Sequence, residues 1–187
     1  MDWNRMAEEY LSVADELFNR LKNGTFELAD LIAERLKAGG KVMVCGNGGS
    51  AADAQHFAAE LVNRFLLERR PYAALALSTD TSILTSIGND YGYEFVFEKQ
   101  VRALGRKGDV LIAISTSGNA ANVCRAVETA KSMGIMTVAL TGGKGGKVAG
   151  LADRVLSVSS TSSVPRIQEG HQFIIHAVCE RVEEILK

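Results

Sequence analysis

The sequence predicts a doubly wound α/β protein: a mostly parallel, five-stranded sheet with helices on both faces, preceded by a helical arm. Three observations carry that expectation. Five short apolar runs follow one another after the first forty residues, "KVMVCG", "YAALALS", "DVLIAIS", "IMTVALTG" and "RVLSVS". Four of them are apolar almost without alternation, as parallel strands are when both faces are covered. Segments with helical spacing separate them, and alternating strands and helices argue for a doubly wound α/β sheet. The chain has 187 residues, enough for one domain with a full core and too few for two. The expected division is a helical arm over 1–40 and an α/β core with a final helix over 41–187.

The elements follow in order. Trp3, Met6, Tyr10, Val13, Leu17 and Leu21 recur at spacings of three and four, which predicts an amphipathic helix over 3–21. A second helix is expected from Thr25, as its cap, to Lys37, with the glycines at 39 and 40 as the stop. An apolar stripe on a leading arm must be buried somewhere, and a partner subunit is one candidate. Within the core, helices are expected near 50–66, 81–87, 93–103, 119–133 and 145–151, and a last one over 164–186.

Bulk properties exclude several classes. A content of 47% hydrophobic and 23% charged residues is that of a soluble globular protein. A net charge of -1 gives no field towards nucleic acid or an anionic membrane. No apolar run approaches the roughly 18 residues of a membrane span. The opening "MDWNRMAEEY" is acidic and polar, unlike a secretory signal. Cys45, Cys124 and Cys179 are odd in number and far apart, which suits reduced thiols in the cytoplasm.

Ligands of such sheets bind beyond the carboxyl ends of the strands. There the sequence places "GNGGS" (46–50), "STSGN" (115–119) and "TGGKGG" (141–146). Ser115, Thr116 and Ser117 offer three hydroxyls, Gly118 lets a backbone approach closely, and a following helix N-terminus carries partial positive charge. Together they suit a phosphate dianion. No GKS or GKT and no GxGxxG is present, so a small sugar phosphate fits better than a nucleotide. The same residues would also serve as ordinary turns and caps.

Three histidines occur. His56 and Glu60 stand at i and i+4 on one helix face, a spacing that can chelate a divalent cation or form a solvated pair. On the last helix Gln168, Gln172, His176 and Glu180 form a polar row beside the apolar row of Ile167, Ile174, Val178, Val182 and Ile185. His171 lies nearly opposite His176 and reads as structural or as surface.

The stretches "CGNGGSAADAQHFAAEL", "GNDYGYEFVF", "GDVLIAISTSGNAANV" and "RIQEGHQFIIH" resemble the phosphoheptose isomerases, members of the sugar isomerase (SIS) superfamily with its flavodoxin-like sheet. The resemblance covers nearly the whole chain, with the motifs in the family's order. It implies isomerisation of sedoheptulose 7-phosphate to D-glycero-D-manno-heptose 7-phosphate, towards the heptose of lipopolysaccharide core or related glycans. It also implies a cytoplasmic homotetramer with zinc at sites shared between subunits. Position by position, it assigns Asn47, Gly48, Gly49, Asn89 and Asp90 to substrate and Ser115, Thr116 and Ser117 to the phosphate. It assigns His56, Glu60, Gln168 and His176 to Zn²⁺, with Glu60 and Gln168 also touching substrate and Glu60 with His176 as the catalytic pair. Where the family often has a serine after "STSGN", this chain has Ala120, one hydroxyl fewer. Gln168 and His176 are eight residues apart, about 12 Å along a helix. One ion therefore meets both only if the helix starts after Gln168, if it bends, or if a second subunit contributes. Rival readings are an isomerase for another sugar phosphate, a non-catalytic relative that binds the replication initiator DnaA, and a sugar-phosphate sensor.

Overall fold

A computed structural model describes residues 2–187. Five strands, β1 (Val42–Gly46), β2 (Ala74–Ala76), β3 (Val110–Ser115), β4 (Met136–Gly142) and β5 (Arg154–Val158), form one sheet in the order β2-β1-β3-β4-β5. All neighbours run parallel. The helices are α1 (Trp3–Glu16), α2 (Lys22–Lys37), α3 (Gly49–Val62), α4 (Thr81–Asp90), α5 (Val96–Leu104), α6 (Ala121–Ser132), α7 (Gly146–Leu151) and α8 (Val164–Leu186).

The strands are apolar without alternation because each feeds two cores. Val42, Val44, Ile112, Ile114, Val138 and Leu140 face the layer of α1, α2, α3 and α8. Met43, Cys45, Leu111, Ala113 and Ala139 face the layer of α5, α6 and α7. The edge strand β5 is the exception, with Arg154 and Val155 exposed. Because α3 follows β1 onto one face and α6 follows β3 onto the other, a crevice opens between the carboxyl ends of β1 and β3, the switch point where such sheets bind ligands.

The arm departs from expectation. Its two helices are joined by a π-helical turn over Leu17–Leu21 rather than by a break. Thr25 is not a cap; it sits inside α2 with its hydroxyl donating to Leu21 O at 2.9 Å. The stop at the glycines is as expected, with Gly39 at φ +84°. The predicted apolar stripe also divides. Val13, Leu17 and Leu21 are buried in the chain's own core, whereas Trp3 and Tyr10 are 72% and 53% exposed. Further along, α3 stops at Val62 rather than near 66, and β2 keeps only three residues of its seven-residue run. Among the described residues no helix is long and apolar enough to cross a membrane.

Candidate active site

The "GNGGS" corner turns from β1 into α3 with Gly48 at φ +55°. Asn47 is fixed across the switch-point crevice by reciprocal bonds. Its Nδ2 donates to Asn122 Oδ1 and Asn122 Nδ2 donates to Asn47 Oδ1, each at 2.9 Å. Asn122 is buried and also caps the Val123 N–H. Tyr93 Oη reaches Asn47 Oδ1 at 3.4 Å. Asn89 and Asp90 end α4, exposed, and bond to each other at 2.8 Å. Among the described residues neither hydrogen-bonds the other candidates, and Tyr93, just beyond them, makes the link to Asn47.

The "STSGN" corner is braced by the loop after β4. Gly118 has φ +65°, and a Cβ there would strike Gly145 O, so only glycine fits. Gly118 O accepts the Val148 N–H at 2.9 Å, and Asn119 Oδ1 accepts the Lys147 N–H at 3.1 Å. The three hydroxyls differ: Ser115 is buried, Thr116 half-buried and Ser117 exposed. A cleft of about 650 Å³ opens beside them, lined by Thr116, Ser117, Asn119, Lys144 and the hydroxyls of Ser159–Ser162. Lys144 and the serine run after β5 were not singled out from the sequence, since only the fold brings the β3, β4 and β5 loops together.

Lower down, α3 and α8 run side by side. His56 Nε2 and His176 Nε2 are 2.9 Å apart, so one ring donates and the other accepts. Glu60 Oε1 is 3.5 Å from His56 Nε2. The Phe65 ring lies 5.5 Å from that of His176. Burial, and then the His56 ring, hold His176 below the usual histidine range, against the pull of Glu60. Asp53, one turn before His56, is buried, and burial pushes its carboxyl up to about 6 while His56 opposes. The sequence reading passed over Asp53, because its burial depends on packing.

Gln168 does not join the histidines. Its amide lies over Gly49, where a Cβ would collide with it. Since α8 begins at Val164, a helix starting after Gln168 is ruled out. Gln168, Gln172, His176, Tyr10 and Phe173 share an open cleft of about 470 Å³ along α8. His171 is fully buried with Nε2 on Thr141 O at 2.9 Å, so it is structural. Among the described residues no three His, Cys, Asp or Glu side chains already stand as a metal cage.

Residues 6–142 match the family model described as SIS domain. A phosphoheptose isomerase of Helicobacter pylori is 58% identical over 153 residues, 82% of this chain and 79% of that protein. One from Rhodospirillum rubrum is 53% identical over 160 residues, 86% of this chain and 85% of that protein. The chain belongs to the phosphoheptose isomerase family of SIS-domain proteins. Solved structures of two family members superpose on it. The Neisseria gonorrhoeae phosphoheptose isomerase has a TM-score of 0.90 at 48% identity, over 97% of this chain and 98% of that one. That from Francisella tularensis has a TM-score of 0.93 at 38% identity, over 97% and 96%. The doubly wound fold expected from the alternation of apolar runs and helical segments is the one observed.

Proposed function

We propose that this phosphoheptose isomerase family member converts sedoheptulose 7-phosphate to D-glycero-D-manno-heptose 7-phosphate through an enediolate. The observation that carries the chemistry is the meeting of His56, Glu60 and His176 across α3 and α8. Aldose–ketose isomerisation moves one proton between two neighbouring carbons. Glu60, as base, takes it from C1 and returns it to C2, while the hydroxyl proton crosses from O1 to O2. His176, whose pKa burial and the His56 ring lower, is the group placed to donate a hydrogen bond to the oxygen that gains charge. Thr116 and Ser117, with Ser115 behind them and the α6 N-terminus alongside, hold the phosphate. Asn47, held by Asn122, and the backbone at Gly48 and Gly49 line the sugar, with Gln168 above Gly49. Asn89 and Asp90 would close over it from α4.

The donor set His56, Glu60 and His176 suits a catalytic zinc, which takes three protein ligands and keeps one open position. Tetrahedral ligation would need the two Nε2 atoms roughly 3.3 Å apart, against the 2.9 Å of the hydrogen-bonded pair, so the two rings would have to part before an ion entered between them. Zinc or another divalent ion there would polarise the carbonyl as a Lewis acid. Gln168 stands too far along α8 to join that set in its own chain, and as a ligand it would serve an ion held by a neighbour. We further propose a cytoplasmic homotetramer. Bare apolar residues on the arm support association, and three unpaired cysteines suit a reducing compartment.

The test is incubation with sedoheptulose 7-phosphate and coupling to a heptose kinase, with products read by mass spectrometry. Heptose phosphate should form, and free sedoheptulose should be a very poor substrate. Turnover of a pentose or hexose phosphate in place of the heptulose phosphate would reassign the substrate.

A further inference from the structure

Helix α3 runs out of hydrogen bonds just where Glu60 leaves it. The Asn63 N–H closes the ladder on Ala59 O at 2.9 Å, which leaves the next carbonyls without helical donors. Arg69 supplies most of them, with the Tyr72 N–H adding a second donor to Leu61 O at 3.0 Å. Its Nη2 donates to Glu60 O at 2.7 Å, and its Nη1 donates to Leu61 O at 2.9 Å and Asn63 O at 3.2 Å. Its Nε donates to Glu183 Oε1 at 2.8 Å, and its guanidinium lies 3.9 Å above the Tyr72 ring. Glu183 is on α8, seven residues and so two turns beyond His176, on the same face. Its carboxylate also takes the N–H groups of Phe65, Leu66 and Leu67 at 2.8, 2.9 and 2.9 Å. The two side chains are 9% and 2% exposed. Each Glu183 oxygen thus accepts two donors, and Phe65, pinned by one of them, rests its ring on His176.

A buried ion pair is weak evidence for stability as such. This one has a more particular placing. It lies between the two helices that carry the acid–base groups, and its arms end on the backbone of one group and on the packing of the other. We propose that Arg69 and Glu183 are positioning residues for the isomerase reaction: together they fix the last turn of α3, from which Glu60 projects, against the face of α8 that bears His176. The proposal rests on the reading of Glu60 as the base. A misplacement of about 1 Å can lower a rate 10²-fold, whereas the phosphate corner belongs to other loops.

Arg69→Lys keeps the charge but presents one nitrogen in place of a planar fork, so it cannot span Glu60 O, Leu61 O and Glu183 together. It should fold and assemble, with kcat about 10- to 100-fold lower and KM for sedoheptulose 7-phosphate nearly unchanged. Glu183→Gln, of the same shape but facing three N–H groups with an amide, should show the same split and serves if the first variant folds poorly. The deciding measurement is a double-mutant cycle with Glu60→Gln. If Arg69 acts through Glu60, Arg69→Lys should lower kcat no further in the Glu60→Gln background. Multiplying losses, or normal kcat in folded single variants with only a lowered melting temperature, would overturn the proposal. Near-wild-type turnover of Glu60→Gln alone would instead remove the base assignment, and the positioning role with it.

Discussion

A hydroxyl that already accepts one hydrogen bond can still donate another, and this separates the three hydroxyls after β3. Ser115 Oγ accepts the Gly118 N–H at 3.2 Å from a buried position. Ser117 Oγ accepts the Asn119 N–H at 3.2 Å but faces solvent and the cleft. Ser117→Ala should therefore weaken binding of the sugar phosphate by about 1–3 kcal/mol, the loss of a bond to a charged group, and leave the melting temperature unmoved. Ser115→Ala should lower both, because it also loosens the turn. Michaelis constants set beside thermal melts check this, and equal effects of the two variants on both readouts would refute it. At this scale the motifs were legible as residue types near strand ends, and their division of labour was not. Burial of Ser115, the Asn122 lock on Asn47 and the placing of Lys144 all come from loops that meet only in the folded chain. Arg69 and Glu183 are 114 positions apart, so no local pattern could pair them.

Among the elements, the strands were readable because both faces of the sheet are covered, which imprints continuous apolar runs. The π-helical turn was not, since nothing in "LFNRL" breaks helical periodicity; it lies next to a tertiary anchor. Glu16, at the end of α1, is buried and receives the N–H groups of Ser159 and Ser160, at 2.9 Å or slightly more, besides the Ser159 hydroxyl and Arg20. Burial alone would raise its pKa, but these donors outweigh it and bring it to about 2, from 4.5. A carboxyl with a depressed folded pKa stabilises the native state above its unfolded pKa and ceases to as pH falls through the folded value. The arm's grip on the serine loop should thus be complete above about 4.5 and fade towards pH 2. Glu16→Gln should lower the melting temperature at pH 7 and flatten the acid dependence in that window. An unchanged acid limb in melts of the variant would show that Glu16 does not set it.

For the molecule as a whole, the divided stripe on the arm says which residues to alter. Leu17 is 7% exposed and belongs to the chain's own core, so a charge there would unfold the protein rather than separate subunits. Trp3 and Leu11, 72% and 65% exposed, are the better pair. Trp3→Glu with Leu11→Glu should leave the circular dichroism intact, shift the protein to a smaller species on sizing with light scattering, and lower activity with it. Tyr10 lines the same cleft as Gln168 and His176, so loss of the assembly reaches the site. A variant that keeps the wild-type size would show that these residues do not hold the proposed assembly.

Mixed oligomers separate what one chain supplies from what its neighbours supply. In a single chain His56 lies close to both His176 and Glu60, so the proposed acid–base pair would come from one chain. Hybrids of Glu60→Gln with His176→Ala chains then hold no intact pair, because every chain lacks one member. Their activity should stay at the sum of the parents. Gln168 is different. It stands over Gly49 in its own chain, about 12 Å along α8 from His176, and could reach a His56–Glu60–His176 set only in another subunit. If it does, hybrids of Glu60→Gln with Gln168→Ala should regain activity: a site can draw Glu60 and both histidines from one chain and Gln168 from the other. Rescue in this second mixture and none in the first would assign three groups to one subunit and the fourth to its neighbour. Rescue in the first would mean that the catalytic pair is itself divided between chains, against the 2.9 Å contact seen within one. No rescue in either, with hybrids verified by mass spectrometry, would leave Gln168 with the sugar of its own chain, above the glycines that turn β1 into α3.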